Sequence, residues 1–427
     1  MTPSASPGAT HAAETEIQAT PLVVRTSAVA DPGPILALLP RDDALAWVRR
    51  DEGLVGWGVA AVIRTKGSSR FAETRAWWDE IAGAAVVRDE VNRPGTGLVA
   101  FGSFAFADEP GESVLVVPEV IVGRRGETTW VTTISPAGIT NTPALTQADE
   151  PEPPAGVAFA DGALSGTDWE RVVAEAVRRI NDGALEKVVL ARDLVATAET
   201  EIDVRWPLHR LADNYPMCWT FHVDGLFGAT PEMLVRRERG LVTSRVLAGT
   251  IRRTGDDERD LALAATLARS SKDLEEHEYA VRSVAESLAP HCSSMNVPEV
   301  PFVLHLPNVM HLATDVAGVV HDSDGATVLE LAAALHPSAA VGGTPTKVAV
   351  EMIAEIEGMH RGRYAGPVGW MDSDGDGEFG IALRSAEIDG NQVRLFAGCG
   401  IVADSDPEAE LAEAQAKFLP VRDALAD

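Results

Sequence analysis

Between Pro21 and Ile139 the apolar positions fall in short runs of the strand type. Residues 97–106 (GLVAFGSFAF) and 113–122 (SVLVVPEVIV) are the clearest, with Gly and Pro punctuating them. The pattern predicts an antiparallel meander with a few helices, one of them over 73–84. Periodicity is lost over 140–166, where Pro143, Pro151, Pro153 and Pro154 sit among acidic residues and read as a linker. Residues 1–20, rich in Ala, Ser, Thr and Pro, read as a disordered tail. Beyond the linker the signals sharpen. Thr167-Asp-Trp-Glu170 has capping-box spacing ahead of a helical pattern through Ile180, and 187–196 (KVVLARDLVA) reads as a buried strand. Ser270 or Ser271 is placed to cap a helix running to about Leu288, with acids in its first turns. Residues 395–402 read as a strand, and Ser405-Asp-Pro407 opens a last helix to about Leu425. Helices and strands follow each other without regular βαβ alternation, which places the chain in the α+β class. Its expected divisions are the tail (1–20), a β-rich part (21–139), the linker (140–166) and a catalytic region (167–427).

The chain has 427 residues and a formal charge of −28. Phosphate contacts need clustered Lys and Arg, so this acidity argues against nucleic acid as a partner. Cys218, Cys292 and Cys399 are odd in number and far apart, which excludes a disulfide scaffold and suits a reducing cytoplasm. No uncharged apolar run reaches the ~18 residues of a membrane span. The first 20 residues lack both the basic and the apolar segments of a secretory signal. Only five lysines stand among the 36 basic residues, so each is conspicuous.

Three motif-like stretches fail on their own terms. Asp372-Ser-Asp-Gly-Asp-Gly377 starts like a calcium loop but has Leu383 where a bidentate Glu is required. Gly398-Cys-Gly-Ile-Val-Ala403 opens no helix, and Gly342-Gly-Thr-Pro-Thr-Lys347 has the wrong glycine spacing for a phosphate loop. Two acid pairs are more suggestive. Asp273 with Glu276, and Glu410 with Glu413, each share a helix face. Singly such pairs are mostly solvated; converging, they would form an oxygen-rich cage suited to Mg²⁺. Lys417 follows Glu413 by one turn, as an ordinary ion pair or an anion contact. Leu247-Ala-Gly249-Thr250 and Ala397-Gly398-Cys-Gly400 offer backbone N–H groups beside glycines. Tyr364 and Arg384 suit a carboxylate, and His311 is either a satisfied structural histidine or a site residue. Lys187 opens an apolar strand, as a snorkelling end residue or a desolvated base. Glu232 either starts the next segment or is a carboxylic acid kept protonated for a leaving group.

Nine ordered blocks carry a resemblance. They are EKVVLAR (186–192), GATPEML (228–234), LAGT (247–250), SKDLEEHEYAV (271–281), LPNVMHLATDVAG (306–318), HPSAAVGGTPT (336–346), RGRYAGPVGW (361–370), GDGEFGIALRSA (375–386) and AGCGIVADSDPEAE (397–410). Over the C-terminal 260 or so residues the chain resembles the chorismate-utilising enzymes, a family holding isochorismate, salicylate, anthranilate and aminodeoxychorismate synthases. The resemblance implies large, mostly antiparallel sheets packed with helices around a central cleft. It implies Lys187 as the base that activates water and Glu232 as the acid for the departing C4 hydroxyl. Glu276 and Glu413 would be the principal Mg²⁺ ligands, with Asp273 and Glu410 beside them. Tyr364 and Arg384 would hold the pyruvyl carboxylate, and Leu247, Gly249, Thr250, His311, Gly398 and Lys417 would line the site. A lysine at 187 points to water rather than ammonia as nucleophile, hence to conversion of chorismate to isochorismate for menaquinone or siderophore synthesis. Salicylate synthase is the alternative, and a silent metal- or partner-binding homologue the more distant one. The implied protein is cytoplasmic, bound to no membrane, and a monomer or weak homodimer.

Overall fold

A computed structural model describes residues 21–426, apart from 137, 139, 140, 142, 306–308 and 322–324 and the side chains of Lys272 and Glu276. The tail expected over 1–20 lies outside the described residues. Those residues build two large sheets, of 13 and 10 strands. In the first, Ala158–Asp161, Lys187–Thr197, Gln392–Ile401, Ser385–Asp389, Leu226–Thr230 and Trp219–Val223 run side by side. Leu45–Arg49 then carries the sheet on into N-terminal strands that end at Val86–Asp89. In the second, Leu241–Arg252 lies between Val309–Val320 and Met233–Glu238, while Pro367–Asp372 pairs with Val99–Ser103 from the N-terminal half. The described pairings are antiparallel except that of Val23–Val29 with Val86–Asp89.

Each sheet is thus assembled from both halves of the chain, joined in the first at Phe221↔Trp47. One apolar core runs between the sheets. Trp47 of the first sheet donates its indole N–H to Glu378 of the second at 2.7 Å, and Arg236 balances that buried carboxylate at 2.5 Å. A buried acid with both a donor and a counter-ion escapes most of the desolvation cost.

Eight helices cover the sheets among the described residues: α1 (Arg70–Ala84), α2 (Gly166–Asn181), α3 (Arg205–Asn214), α4 (Asp257–Leu267), α5 (Ser271–Leu288), α6 (Val328–Leu335), α7 (Thr346–Ile356) and α8 (Pro407–Leu425). Ser270 caps α5 by accepting the Asp273 N–H, and Asp406 caps α8 ahead of Pro407, so both long helices start where their sequence places them. Elsewhere local patterns mislead. Ser165 rather than Thr167 caps α2, because its hydroxyl reaches the Asp168 N–H. The run 113–122 is two strands, Glu112–Val117 and Val120–Arg125, in different sheets; Pro118 breaks the ladder and the chain crosses over there. The stretch expected as a linker includes Ala158–Asp161, which pairs with Lys187–Thr197, so its end is stitched into the first sheet.

Candidate active site

Thirteen of the fourteen residues singled out in the sequence line one cavity of about 500 Å³. They are Lys187, Glu232, Leu247, Gly249, Thr250, Asp273, His311, Tyr364, Arg384, Gly398, Glu410, Glu413 and Lys417. The fourteenth, Glu276, belongs to α5, but its side chain lies outside the described residues. The cavity sits where the C-terminal strands of the two sheets meet the N-terminal turns of α5 and α8.

The glycines here leave room for neighbouring side chains. Gly398 and Gly400 lie inside the strand Gln392–Ile401, opposite Ala191 and Val189, in a continuous ladder. A Cβ on Gly400 would stand 2.8 Å from Lys187 Cε, and one on Gly398 3.0 Å from the Tyr364 hydroxyl. The two glycines are notches for neighbouring side chains. Gly249 does a different job. It is the extra residue of a bulge, with φ +74°, between Ala248↔Leu312 and Thr250↔His311. Its missing side chain lets Asp273 of α5 approach, since a Cβ there would meet Asp273 Cβ at 3.2 Å. Past the bulge, Thr250 Oγ1 and His311 Nδ1 share a 3.0 Å hydrogen bond across the strands.

Glu232 sits on the turn between Leu226–Thr230 and Met233–Glu238. Its N–H donates to Thr230 Oγ1 at 3.2 Å and its carbonyl accepts from Ile381, so the backbone is pinned while the carboxyl faces the cavity. Burial pushes that carboxyl up to about 8, against the opposing pull of Arg384 and Lys187. It is therefore neutral at pH 7 and able to donate a proton. His311 goes the other way: burial, then Arg384 and Lys417, depress it to about 3 and keep the imidazole neutral. Tyr364 stacks on Phe396 at 5.0 Å, and burial raises its phenol, which stays a hydrogen-bond donor. Arg384 occupies the left-handed region (φ 49°), a strained position for a residue with a Cβ, on the turn opposite Glu232.

The acidic wall is built by α8. Lys417 lines the cavity, pairs with Glu413 at 2.6 Å and donates to the Gly398 carbonyl at 2.8 Å. Burial opposes the Glu413 charge, but Lys417 and Arg384 hold that carboxyl below its usual range. Glu410 is displaced upward by burial and by neighbouring Glu413, although Ser405 donates to it at 2.8 Å. A carboxylate that lacks a full counter-charge, beside Glu413 and Asp273 on the same cavity, makes an all-oxygen donor set that fits a hard divalent cation such as Mg²⁺.

A family model described as "Chorismate binding enzyme" matches residues 41–426. The chain belongs to the chorismate-binding enzymes. The match takes in most of the N-terminal part, where the sequence alone resembles the family only loosely. Isochorismate synthase MenF of Bacillus subtilis is 33% identical over 402 residues, 87% of this chain and 85% of that protein. Isochorismate synthase DhbC of the same organism is 42% identical over 262 residues, 59% of this chain and 66% of that one. Among solved structures, the menaquinone-specific isochorismate synthase MenF of Escherichia coli superimposes with a TM-score of 0.77 at 25% identity, covering 95% of each chain.

Within this chorismate-binding enzyme one supporting group escaped the sequence reading. Arg361 lines the cavity and forms a fully buried fork with Glu357, at 2.8 and 2.6 Å. Its remaining N–H groups donate to the Val189 and Val341 carbonyls, and Glu357 accepts the Ala191 N–H at 2.8 Å. The pair thereby fixes the strand that carries Lys187. Its only sequence signal is an acid and a base four residues apart, a spacing shared with surface pairs such as Arg178–Asp182.

Proposed function

We propose that this enzyme is an isochorismate synthase. The observation that carries the reading is a buried Glu232, its carboxyl pushed upward by that burial, sharing one cavity with Lys187, Tyr364 and Arg384. Names of the relatives point the same way. In the forward reaction Lys187 takes a proton from water as its oxygen bonds to C2 of chorismate. The ring double bonds shift, the C4–O bond breaks, and Glu232 gives its proton to the departing hydroxyl, which leaves as water. Charges balance: one proton enters at Lys187 and one leaves at Glu232, ready to be exchanged back.

Glu413 would hold Mg²⁺ together with Glu276, the other principal ligand that the family resemblance implies, and Asp273 and Glu410 would support it from beside them. Bound there, Mg²⁺ supplies positive charge for the substrate's ring carboxylate. Arg384 and Tyr364 orient the second carboxylate, and His311, kept neutral by burial, adds hydrogen bonding without a charge that would compete. The product would feed menaquinone or siderophore synthesis. Incubation of the purified protein with chorismate and Mg²⁺ should give isochorismate by chromatography; no product sinks the reading, and salicylate with pyruvate reassigns the enzyme to the salicylate branch. Lys187→Ala should lose turnover by at least about 10²-fold with the fold intact, and retained turnover removes Lys187 as the base.

A further inference from the structure

The acidic wall holds a donor that the proposed reaction does not use. Cys399 lies between the two notch glycines on the strand Gln392–Ile401, 1% exposed, with its thiol turned toward α8. Its Sγ and one carboxylate oxygen each from Glu410 and Glu413 all lie within 4.8 Å of one another. Tetrahedral ligation at metal–sulfur and metal–oxygen lengths of ~2.3 and ~2.0 Å needs ligand separations below that, which rotation of the two Glu side chains can supply. A further group faces the cavity that Glu410 and Glu413 line. His311 is 7% exposed, and its Nε2 has no hydrogen-bond partner among the described residues. A thiol and two carboxylates form a mixed soft and hard set, with a neutral imidazole on the wall of the cavity that the carboxylates line. Mg²⁺ has no use for sulfur, whereas Zn²⁺ and Cd²⁺ prefer it.

We propose that Cys399, Glu410 and Glu413 form a site for a thiophilic divalent cation, Zn²⁺ or Cd²⁺, that takes carboxylates from Mg²⁺ and shuts the enzyme down. Lys417 stands 3.8 Å from the Cys399 sulfur and 2.6 Å from Glu413, so the incoming cation replaces an ammonium already held there. On binding, the thiol proton passes to solvent and the sulfur–metal bond forms, with no change in oxidation state. The inhibitory half of the proposal rests on Glu410 and Glu413 serving Mg²⁺; the binding half stands without it.

Cd²⁺ added to the full-length protein should produce an ultraviolet thiolate-to-cadmium charge-transfer band. That band should vanish in Cys399→Ser and in Cys399→Ala and survive in Cys218→Ser and Cys292→Ser. Each variant's Zn²⁺ inhibition is then measured against its own Mg²⁺-supported rate, and loss of the sulfur should weaken it by roughly tenfold or more. A wild-type protein without the band, or a band that persists when residue 399 is Ser or Ala, overturns the site. A band with no Zn²⁺ inhibition of a working enzyme overturns the competition with Mg²⁺. Failure to form isochorismate with Mg²⁺ alone speaks only to the reaction, because the cadmium band is read without substrate.

Discussion

Replacing Glu232 by Gln keeps the shape of the side chain and removes its titration, so it separates what the acid does from what it costs the fold. The folded carboxyl ionises at about 8, against an ordinary value of 4.5 for an exposed one. Below about pH 4.5 both folded and unfolded chains hold the proton, and Glu and Gln should be equally stable. Between about pH 4.5 and pH 8 the unfolded chain releases the proton and the folded one keeps it. The unfolded state then binds fewer protons, so wild-type stability falls as pH rises. At pH 7 the gap is about 2.5 pH units, equivalent to about 3 kcal/mol. Above about pH 8 the folded group ionises too and the penalty levels off near 5 kcal/mol, on the order of the full shift. Urea unfolding of the substrate-free protein at a series of pH values should therefore show Glu232→Gln gaining on the wild type from nothing near pH 4 to about 3 kcal/mol at pH 7. The same variant should lose turnover by about 10²–10⁴-fold. A stability difference that stays flat across this range would refute the claim that burial keeps Glu232 protonated.

Three further outcomes follow from the geometry. Gly400→Ala places a methyl 2.8 Å from Lys187 Cε, and because that neighbour is the far end of a flexible side chain, melting should change by no more than about 1 kcal/mol. The displaced amine should still cut kcat by about 10²-fold with little change in KM, and an unaltered kcat would clear the notch of any role. Arg361→Met strands the buried Glu357 charge and should cost about 3–5 kcal/mol in denaturant melts, much of it recovered in the double variant with Glu357→Gln. The wild-type rate at saturating Mg²⁺ should fall above about pH 8 as Glu232 loses its proton, and that fall should disappear in the residual activity of Glu232→Gln.

What the sequence disclosed followed the range over which each feature is determined. The start of α5 at Ser270 and of α8 at Asp406-Pro407 depends on three or four consecutive residues, and both were legible. Lys187 and Glu232 stand out beside apolar runs, but their neighbours in sequence leave two readings for each, and only the family resemblance assigns them roles. The pairing of Leu45–Arg49 with Trp219–Val223 depends on residues far apart, and nothing local announces it. The glycines of AGCGIV show the intermediate case. Their type marked the place, but only the neighbours Lys187 and Tyr364 reveal that the absent side chains are the point. The Arg361–Glu357 fork was hidden because its spacing says nothing about depth.

The joining of both sheets across the two halves bears on how the chain is made. During synthesis the strand around Trp47 emerges well before its partner around Phe221, and at ~5–20 residues per second the wait is roughly 10–35 s. Through that interval an apolar strand edge stands open, a template for pairing with other nascent chains. Glu410, Glu413 and Lys417 of α8 are made later still, so the cavity wall closes only after that helix has emerged. Slower translation lengthens the exposed interval and faster translation shortens it, so yield of soluble enzyme should respond to codon choice between these two strands more than to codon choice after them.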